Sequence, residues 1–420
     1  MRGVTPRKSW AVLAYTIAED PGASGPLDTA ARRELKAICD AADFTSVSIA
    51  AQVDFKRRRG VYRGALEQLE PKDRGFEDIR PENHELWKQV KDGVRAGTAA
   101  VTLQRERVDL NAARADVLQE FLRFGQKACP AERYLVSFFG HAAGPMGIFN
   151  DATSGQRTRE SMRLNDLAGA FRGGRRADVV LFRDCYMNCL EAAYQLRHVA
   201  GFMLASQALA PATGTWPWRQ FMRTLRPDAS PVEVGLGLAT ALATFLDDAK
   251  NRGGFATVPY SLLALDTMDE VARALAALVE ALQAARRDPA RSRACAAALE
   301  GARVGSAEDS ARPGDPALLD VPTMCARLAA LAGDPVAVPA AALGEIVGSR
   351  LVRFHRAQSA DHQGTALFYK PVRPRDLEQS YLQATDEATA AEDQARYRAL
   401  ALSRATGWPR IALDPLPVDA

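Results

Sequence analysis

The chain has 420 residues, of which 47% are hydrophobic and 25% charged, with a formal net charge of +3. This length fits one large domain or two smaller ones with a sizeable core, and the composition is that of a globular protein. The small net charge excludes a chain that binds nucleic acid or membrane surfaces through its overall charge. No run of sequence reaches the roughly 18 uninterrupted apolar residues of a membrane span.

The opening residues and the cysteines both predict a cytoplasmic protein. The basic start MRGVTPRKSW is similar to that of a signal sequence, but the apolar run after it is broken at Glu19-Asp20, so no signal sequence is expected. Six cysteines are spread through the chain without the spacing of a disulfide framework, which is typical of reduced thiols. Cys185 and Cys189 lie four positions apart, but no second pair accompanies them, so no metal site is expected.

The first part of the chain predicts alternating strands and helices. Residues 10–18 and 46–55 read as strands, and residues 28–42 between them as an amphipathic helix. A strand, a helix and a strand at this spacing form a βαβ unit, which implies a parallel sheet. The four cations at 56–59 are expected at a solvated hairpin tip; nucleic-acid contact is the alternative, which no interleaved aromatic residues support. The polar stretch 70–104 is expected to be a surface excursion.

Two apolar runs in the middle of the chain end on residues with chemistry to offer. The run RYLVSFFGHAAG ends its strand-like part just before His141. The next run, ADVVLFRDC, ends at Cys185, and a helical pattern begins at Asn188. If the two strands are parallel neighbours, His141 and Cys185 emerge together at the carboxyl edge of the sheet, where ligands bind. A base beside a thiol predicts nucleophilic catalysis, and a helix N-terminus near the thiol would favour the thiolate.

The remaining elements complete the predicted sheet and then change character. A short strand at 202–206, a helix over 227–248 and a last strand at 260–266 bring the predicted sheet to five or six strands. Beyond residue 266, alanine, leucine and arginine dominate in a helical pattern. We therefore predict one domain over residues 1–267 and a mainly helical C-terminal subdomain over residues 268–420.

These motifs resemble those of the clostripain family of caspase-like cysteine peptidases. The family's apolar strand followed by His-Gly and further glycines is similar to LVSFFGHAAG, and its Asp-Ala-Cys-Leu-Met with a later Glu is similar to Arg183–Met187 with Glu191. Other segments in the family's order are KSWAVLAYTIAED, LASQALAPATGTWPW, YSLLALD, GTALFYKP and ATGWPRIAL. The resemblance covers most of the chain and implies a caspase-like α/β fold, with a mostly parallel sheet sandwiched by helices, and cysteine endopeptidase activity.

The resemblance makes Cys185 the nucleophile and His141 its partner in a catalytic dyad. We expect the backbone N–H groups of Cys185 and Ala142 to hold the oxyanion of the tetrahedral intermediate. The family's His-Gly is His141-Ala142 here, and alanine still offers an N–H group. No third catalytic carboxylate is required, because a thiol with a pKa near about 8.5 needs less activation than a serine hydroxyl.

Specificity is the point where this sequence departs from the family. The acidic residue two positions before the family's cysteine helps to form the pocket for a substrate Arg or Lys, but Arg183 stands there, and Asp184 faces the other way along the strand. Either another carboxylate restores the basic preference, or Arg183 reverses it towards acidic or neutral residues. Ser206, Gln207 and Trp216 occupy the segment that lines the family's substrate groove, and with Arg183 and Asp184 they are the candidate substrate-binding residues. Asp184 has a second interpretation, as the cap of the helix that follows.

Regulation and partners follow from the resemblance alone. Peptidases of this kind are often zymogens cut in surface loops, and the loop that carries Arg157 and Arg159 is the candidate processing site, cleaved by an activating protease. The expected partners are protein or peptide substrates, with no membrane or nucleic acid. No cofactor is expected, and a calcium requirement stays open. The alternative from another class is a catalytically inactive caspase-like module that binds a partner in a signalling or defence complex.

Overall fold

The structure is a computed structural model, and it describes residues 7–18, 26–42, 45–55, 60–68, 99–101, 104–105, 111–149, 161–211, 215–304, 318–359, 362–369, 387–414 and 416. The strands are β1 (Lys8–Ala18), β2 (Val47–Phe55), β3 (Gly60–Gln68), β4 (Ala99–Val101), β5 (Gln104–Arg105), β6 (Ala131–Phe139), β7 (Ala177–Arg183), β8 (Ala200–Ser206), β9 (Tyr260–Ala264), β10 (Leu318–Asp320), β11 (Val352–Arg356) and β12 (Ala366–Phe368). The α-helices are α1 (Pro26–Ala41), α2 (Ala115–Ala128), α3 (Leu164–Ala170), α4 (Leu190–Leu196), α5 (Trp218–Thr224), α6 (Pro231–Asp247), α7 (Met268–Ala285), α8 (Pro289–Glu300), α9 (Val321–Ala329), α10 (Ala337–Ile346), α11 (Glu387–Arg398), α12 (Ala401–Thr406) and α13 (Pro409–Ala412).

One large sheet organises these elements. Its strands pair in the order β11-β9-β8-β7-β6-β1-β2-β3-β4, and β5 also pairs with β3. The five central strands from β8 to β2 are parallel, whereas the strands at both edges are antiparallel. The predicted α/β class with a mostly parallel sheet is therefore confirmed. The chain winds in one direction from β1 to β2 and in the other from β6 to β8, so the topological switch lies between β1 and β6, next to β7.

Both faces of the sheet are covered, which explains the long apolar runs of its central strands. Alternate residues of β1 show this directly: Leu13 and Tyr15 belong to the core on one face, and Trp10 and Val12 to the core on the other. Helices α2, α3, α4 and α7 contribute to the first core, and α1, α5 and α6 contribute to the second. The helices after α7 extend the first core rather than the second.

The sheet is larger than the five or six strands predicted. Antiparallel strands extend it on both sides, and β11 pairs with β9, so β9 is not the last strand. The sequence VRFHR of β11 is partly exposed and carries charged residues, so it lacks the continuous apolar run that marks a central strand. Because β11 comes from the region assigned to the C-terminal subdomain, that region also contributes to the main sheet, and the boundary after residue 267 stays a prediction.

Two predicted surface features fall largely outside the described residues. The four cations at positions 56–59 are not described. The strands on either side of them, β2 and β3, pair antiparallel with Phe55 opposite Gly60, as a hairpin requires. Most of the predicted excursion 70–104 is also not described, and at its end β4 and β5 pair with β3. Within the part of the chain that the structure describes, no helix has the length and apolar character needed to cross a bilayer.

Candidate active site

His141 and Cys185 follow neighbouring parallel strands at the same edge of the sheet. β6 ends at Phe139 and β7 at Arg183, and these two residues are partners in the strand register. His141 and Cys185 each come two positions later, so the backbone delivers them side by side at the carboxyl edge. Cys185 is also partly exposed, whereas every other residue from position 179 to position 194 is buried. A thiol and an imidazole thus follow paired strand ends at one edge of the sheet, and both residues are partly exposed.

The loops that follow the two candidates pack directly on each other. Gly144 has φ +58°, and a Cβ built on it would lie 2.9 Å from the carbonyl oxygen of Tyr186. Tyr186, the residue after Cys185, also has a positive φ, 58°, and its N–H group donates to the Ala208 carbonyl at 2.9 Å. A non-glycine residue held in this conformation costs on the order of 1–3 kcal/mol and is found at functional sites. The contact therefore fixes the loop of the histidine against the loop of the cysteine.

Replacing Gly144 with alanine is expected to lower peptidase activity by about 10- to 100-fold, because a shift of the histidine loop misplaces the dyad. The new Cβ would meet a backbone oxygen, which cannot move aside as a flexible side chain can. The matched control is Gly169→Ala in α3, where an added Cβ meets nothing within 4 Å and helix propensity improves. Steady-state kinetics of both variants make the test, and equal activities would contradict the role of this contact.

Cys185 differs from every other cysteine of the chain. It is partly exposed, whereas the other five are buried. Burial raises the pKa of Cys39 and of Cys325 to about 12, so these thiols stay protonated and unreactive. The Cys185 Sγ accepts a hydrogen bond from the Ala210 N–H at 3.4 Å. Exposure and this hydrogen bond distinguish Cys185 from the five buried cysteines.

The geometry of Ala142 fits the predicted oxyanion hole. Ala142 and Ile148 form an isolated antiparallel bridge, in which the Ala143 N–H donates to Gly147 at 2.9 Å and the Phe149 N–H donates to His141 at 2.7 Å. In a pair of this type the hydrogen bonds are made by the flanking residues, so the Ala142 N–H points away from the ribbon. The assignment of Ala142 and Cys185 as oxyanion donors stays a prediction.

The helix after the cysteine begins later than the sequence predicted. α4 starts at Leu190 with Cys189 as its N-cap, and no side chain caps it. Asp184 therefore does not cap this helix, and the helix N-terminus is too far along the chain to act on the Cys185 thiol, because the dipole effect fades within the first turn.

Tertiary hydrogen bonds delay the helix by occupying Asn188. Its N–H group donates to the Ser206 carbonyl at 2.8 Å, and its carbonyl accepts from the Ala366 N–H at 3.1 Å. The Asn188 side chain donates to the Gly364 carbonyl at 2.7 Å. The segment after Cys185 is thus held by β8 on one side and by the C-terminal region on the other, which no local sequence signal could indicate.

Asp184 is fully buried between the two strand ends. Burial raises the pKa of its carboxyl group to about 8, although the backbone N–H of Gly140 and the charge of Arg183 act in the opposite direction. Gly140 immediately precedes His141 and Asp184 immediately precedes Cys185, so the carboxyl group lies beside the loops of both candidates. At neutral pH it is mostly an uncharged carboxylic acid.

Asp184 is expected to make stability depend on pH. An unfolded aspartate titrates near 3.8 and the folded one near 8, so between these values the folded protein holds a proton that the unfolded chain releases. The free energy of unfolding should then fall as the pH rises from about 4 to 8, by up to roughly 1.4 kcal/mol per unit. Asp184→Asn should remove this slope and be the relatively more stable protein at pH 8. Urea unfolding at several pH values tests it, with the exposed Asp228→Asn as control; parallel curves for wild type and Asp184→Asn would contradict it.

Arg183 is buried in an ion pair instead of facing solvent. Its guanidinium pairs with Glu34 of α1 and lies 4.4 Å from the ring centroid of Phe139 and 5.5 Å from that of Trp216. Glu34 also accepts from the Trp218 indole N–H at 2.6 Å and from the Trp216 backbone N–H at 3.2 Å. One of the two hypotheses required another carboxylate that could restore the preference for basic residues. Glu34 is a carboxylate at this place, but it is already paired with Arg183.

The other candidate substrate-binding residues also face protein. Ser206 and Gln207 are fully buried, and Trp216 is 4% exposed. The Gln207 amide donates to the Asp320 carboxylate at 2.7 Å, so this side chain is bound to β10. The side chains of Arg183 and Asp184 are buried as well. All five residues stay predicted contributors to the groove.

A model of the clostripain family matches residues 78–307, which is more than half of the chain. The chain belongs to the clostripain family. Among solved structures, a secreted C11 cysteine protease from Bacteroides thetaiotaomicron in complex with an irreversible peptide inhibitor is 14% identical, with coverage of 96% of this chain and 99% of that one and a TM-score of 0.64. An inactive zymogen C11 protease from Parabacteroides distasonis is 17% identical, with coverage of 96% and 99% and a TM-score of 0.62. No curated protein matches the chain.

At these identities the two solved structures show the fold, and the family match shows that the fold is that of a clostripain-family cysteine peptidase. Two expectations for this clostripain-family chain, the processing site and the calcium requirement, stay untested. Arg157 and Arg159 lie outside the described residues. Among the residues that are described, no group of three or more His, Cys, Asp or Glu side chains could hold a metal ion, and calcium dependence stays open.

Sequence reasoning missed the residue that pairs with Arg183. Glu34 lies in an amphipathic helix, where a carboxylate ordinarily faces solvent, and it is 4% exposed. It is 149 positions from Arg183, so the pairing depends on where the fold places α1 relative to the end of β7. The one available signal was indirect: a buried strand that ends in arginine needs a carboxylate somewhere.

Proposed function

We propose that this protein is an active cysteine endopeptidase that cleaves protein or peptide substrates with the dyad of Cys185 and His141. The carrying observation is the register of β6 and β7, which ends both strands at one edge of the sheet two positions before His141 and Cys185. The partial exposure of Cys185, alone among six cysteines, supports the same proposal. We also propose that the protein is cytoplasmic and zymogen-like. An activating protease would cut it in the segment that carries Arg157 and Arg159.

The chemistry follows from the groups in place. The Cys185 thiolate attacks the substrate carbonyl carbon, and the N–H groups of Cys185 and Ala142 stabilise the oxyanion. The imidazolium of His141 gives its proton to the leaving amine as the C–N bond breaks, which leaves a thioester on Cys185. His141 then takes a proton from water, the resulting hydroxide attacks the thioester, and the C–S bond breaks to return the thiolate and release the acid.

Labelling with iodoacetamide tests the proposal. Limited reagent, followed by peptide mass mapping, is expected to modify Cys185 first and to do so much more slowly in His141→Ala. Cys189→Ala is the matched control, because Cys189 is buried and burial raises its pKa, so its removal should leave the labelling unchanged. A Cys185 that reacts no faster than the buried cysteines, together with no peptide hydrolysis, would favour the inactive binding module instead.

Intact-mass analysis tests the processing step separately. Active protein is expected to consist of two fragments that separate within the loop of Arg157 and Arg159. A fully active protein with an uncut chain would contradict this part of the proposal and leave the dyad in place.

A further inference from the structure

We infer that the enzyme cleaves after uncharged residues, because its own Arg183 occupies the Glu34 carboxylate that would otherwise bind a basic side chain of the substrate. This inference rests on the proposed peptidase function and concerns the residue whose carbonyl the thiol attacks, the P1 residue. The sequence left open whether another carboxylate restores the preference for basic residues. Glu34 is such a carboxylate, but Arg183 already occupies it.

The buried Arg183–Glu34 ion pair and the Cys185 thiol lie beside the same two aromatic residues, Trp216 and Tyr260, which we call the wall. Cys185 packs against the core that contains Ala210, Trp216 and Tyr260. The Trp216 ring lies 5.6 Å from the Tyr260 ring and 5.5 Å from the Arg183 guanidinium. Burial raises the pKa of Tyr260 far above its usual value, and the nearby Cys185 thiol and Glu34 carboxylate act in the same direction. The buried Trp216 and Tyr260 rings therefore link the partly exposed thiol to the ion pair, and we take this cluster as the surface nearest the P1 side chain.

The ion pair offers this wall no net charge. The side chains of Arg183 and Glu34 are 1% and 5% exposed. One Glu34 oxygen accepts from Arg183 and from the Trp216 backbone, and the other accepts from the Trp218 indole. A charged P1 side chain placed here would lose hydration and gain no counter-charge from this ion pair, whereas an apolar one would gain contact with the rings. The wall thus selects against both signs of charge.

Arg183 pairs with Glu34 through one guanidinium nitrogen and one carboxylate oxygen, and a substrate arginine would make the same kind of ion pair. Removal of Arg183 should therefore uncover an acidic site next to the thiol. Arg183→Gln is expected to raise kcat/KM for peptides with P1 Arg or Lys by about tenfold or more relative to wild type, which is the size of one new ion pair at a partly desolvated site. Glu34→Gln leaves the guanidinium unpaired and should raise kcat/KM for P1 Asp or Glu instead.

The experiment measures kcat/KM for one peptide series that varies only at P1, with wild type, both single variants and the double variant Arg183→Gln/Glu34→Gln. Wild type and the double variant should both prefer Leu, Met or Ala over charged residues by about tenfold or more. Each protein is assayed below its own unfolding midpoint. Wild-type turnover that is fastest after Arg or Lys, or an unchanged profile in Arg183→Gln, would overturn the inference.

A second measurement keeps the inference testable if Arg183→Gln does not fold well. In Arg183→Ala, methylguanidinium at millimolar concentration should fill the vacated place and raise the thermal midpoint, while methylammonium should raise it less. The same additive should have no such effect on Arg183→Ala/Glu34→Gln, and an equal effect on both would overturn the inference. Failure of the proposed function is distinguishable, because wild type would then cleave no peptide of the series although methylguanidinium still binds Arg183→Ala.

Discussion

Replacing Cys185 with alanine is expected to lower kcat for peptide hydrolysis by on the order of 10⁴-fold or more, because the group that forms the acyl-enzyme is gone. His141→Ala should lower it by about 10²- to 10⁴-fold, which is the range for loss of a general acid and base. The two losses should not add in the double variant, since neither residue acts without the other. Steady-state kinetics of the three proteins with one fluorogenic peptide make the measurement.

Cys189→Ala is the matched control for this series. Cys189 lies four positions from Cys185 on the same segment, is fully buried, and has a raised pKa because of that burial. Its removal deletes a sulfur from the core but none from the site, so kcat should stay within a few-fold of wild type. Hydrolysis that survives Cys185→Ala, or that is lost equally in Cys189→Ala, would show that the thiol at the strand end is not the nucleophile.

Replacing Glu34 with alanine should produce the largest loss of stability among single charge changes, about 3–5 kcal/mol in the free energy of unfolding. The reason is that the Arg183 guanidinium stays buried without its partner, and the Trp218 indole N–H loses its acceptor as well. Urea unfolding followed by tryptophan fluorescence and by circular dichroism measures the change. Glu270→Ala is the control, because the Arg350–Glu270 pair is largely exposed and such pairs contribute about 0–1 kcal/mol.

The double variant Glu34→Leu/Arg183→Met separates the two reasons for this loss. Replacing a buried ion pair by apolar side chains of similar size is often neutral or stabilising, so this variant should be far more stable than Glu34→Ala. If Glu34→Ala and Glu270→Ala were equally mild, the pair would have to be solvated in solution, and the neutral wall beside the thiol would not exist.

The sequence by itself predicted the parallel centre of the sheet and placed His141 and Cys185 at the ends of two of its strands. The apolar runs before His141 and Cys185 indicate central strands, because a strand buried on both faces must be continuously apolar. Parallel strands end at one edge of the sheet, so the residues that follow the two runs are expected there. The α/β class and the membership of the clostripain family followed from the same runs and their flanking motifs.

Only the tertiary structure decided what surrounds the dyad. The partner of Arg183 lies on a helix 149 positions away, and the start of α4 depends on hydrogen bonds that Asn188 makes to Ser206 and Ala366. Local propensity reports on neighbours along the chain, whereas a buried charge is satisfied by whichever element packs on it in space. For this reason the sequence placed Cys185 at a strand end, and the long-range pairing of Glu34 in α1 with Arg183 in β7 set the charge beside it.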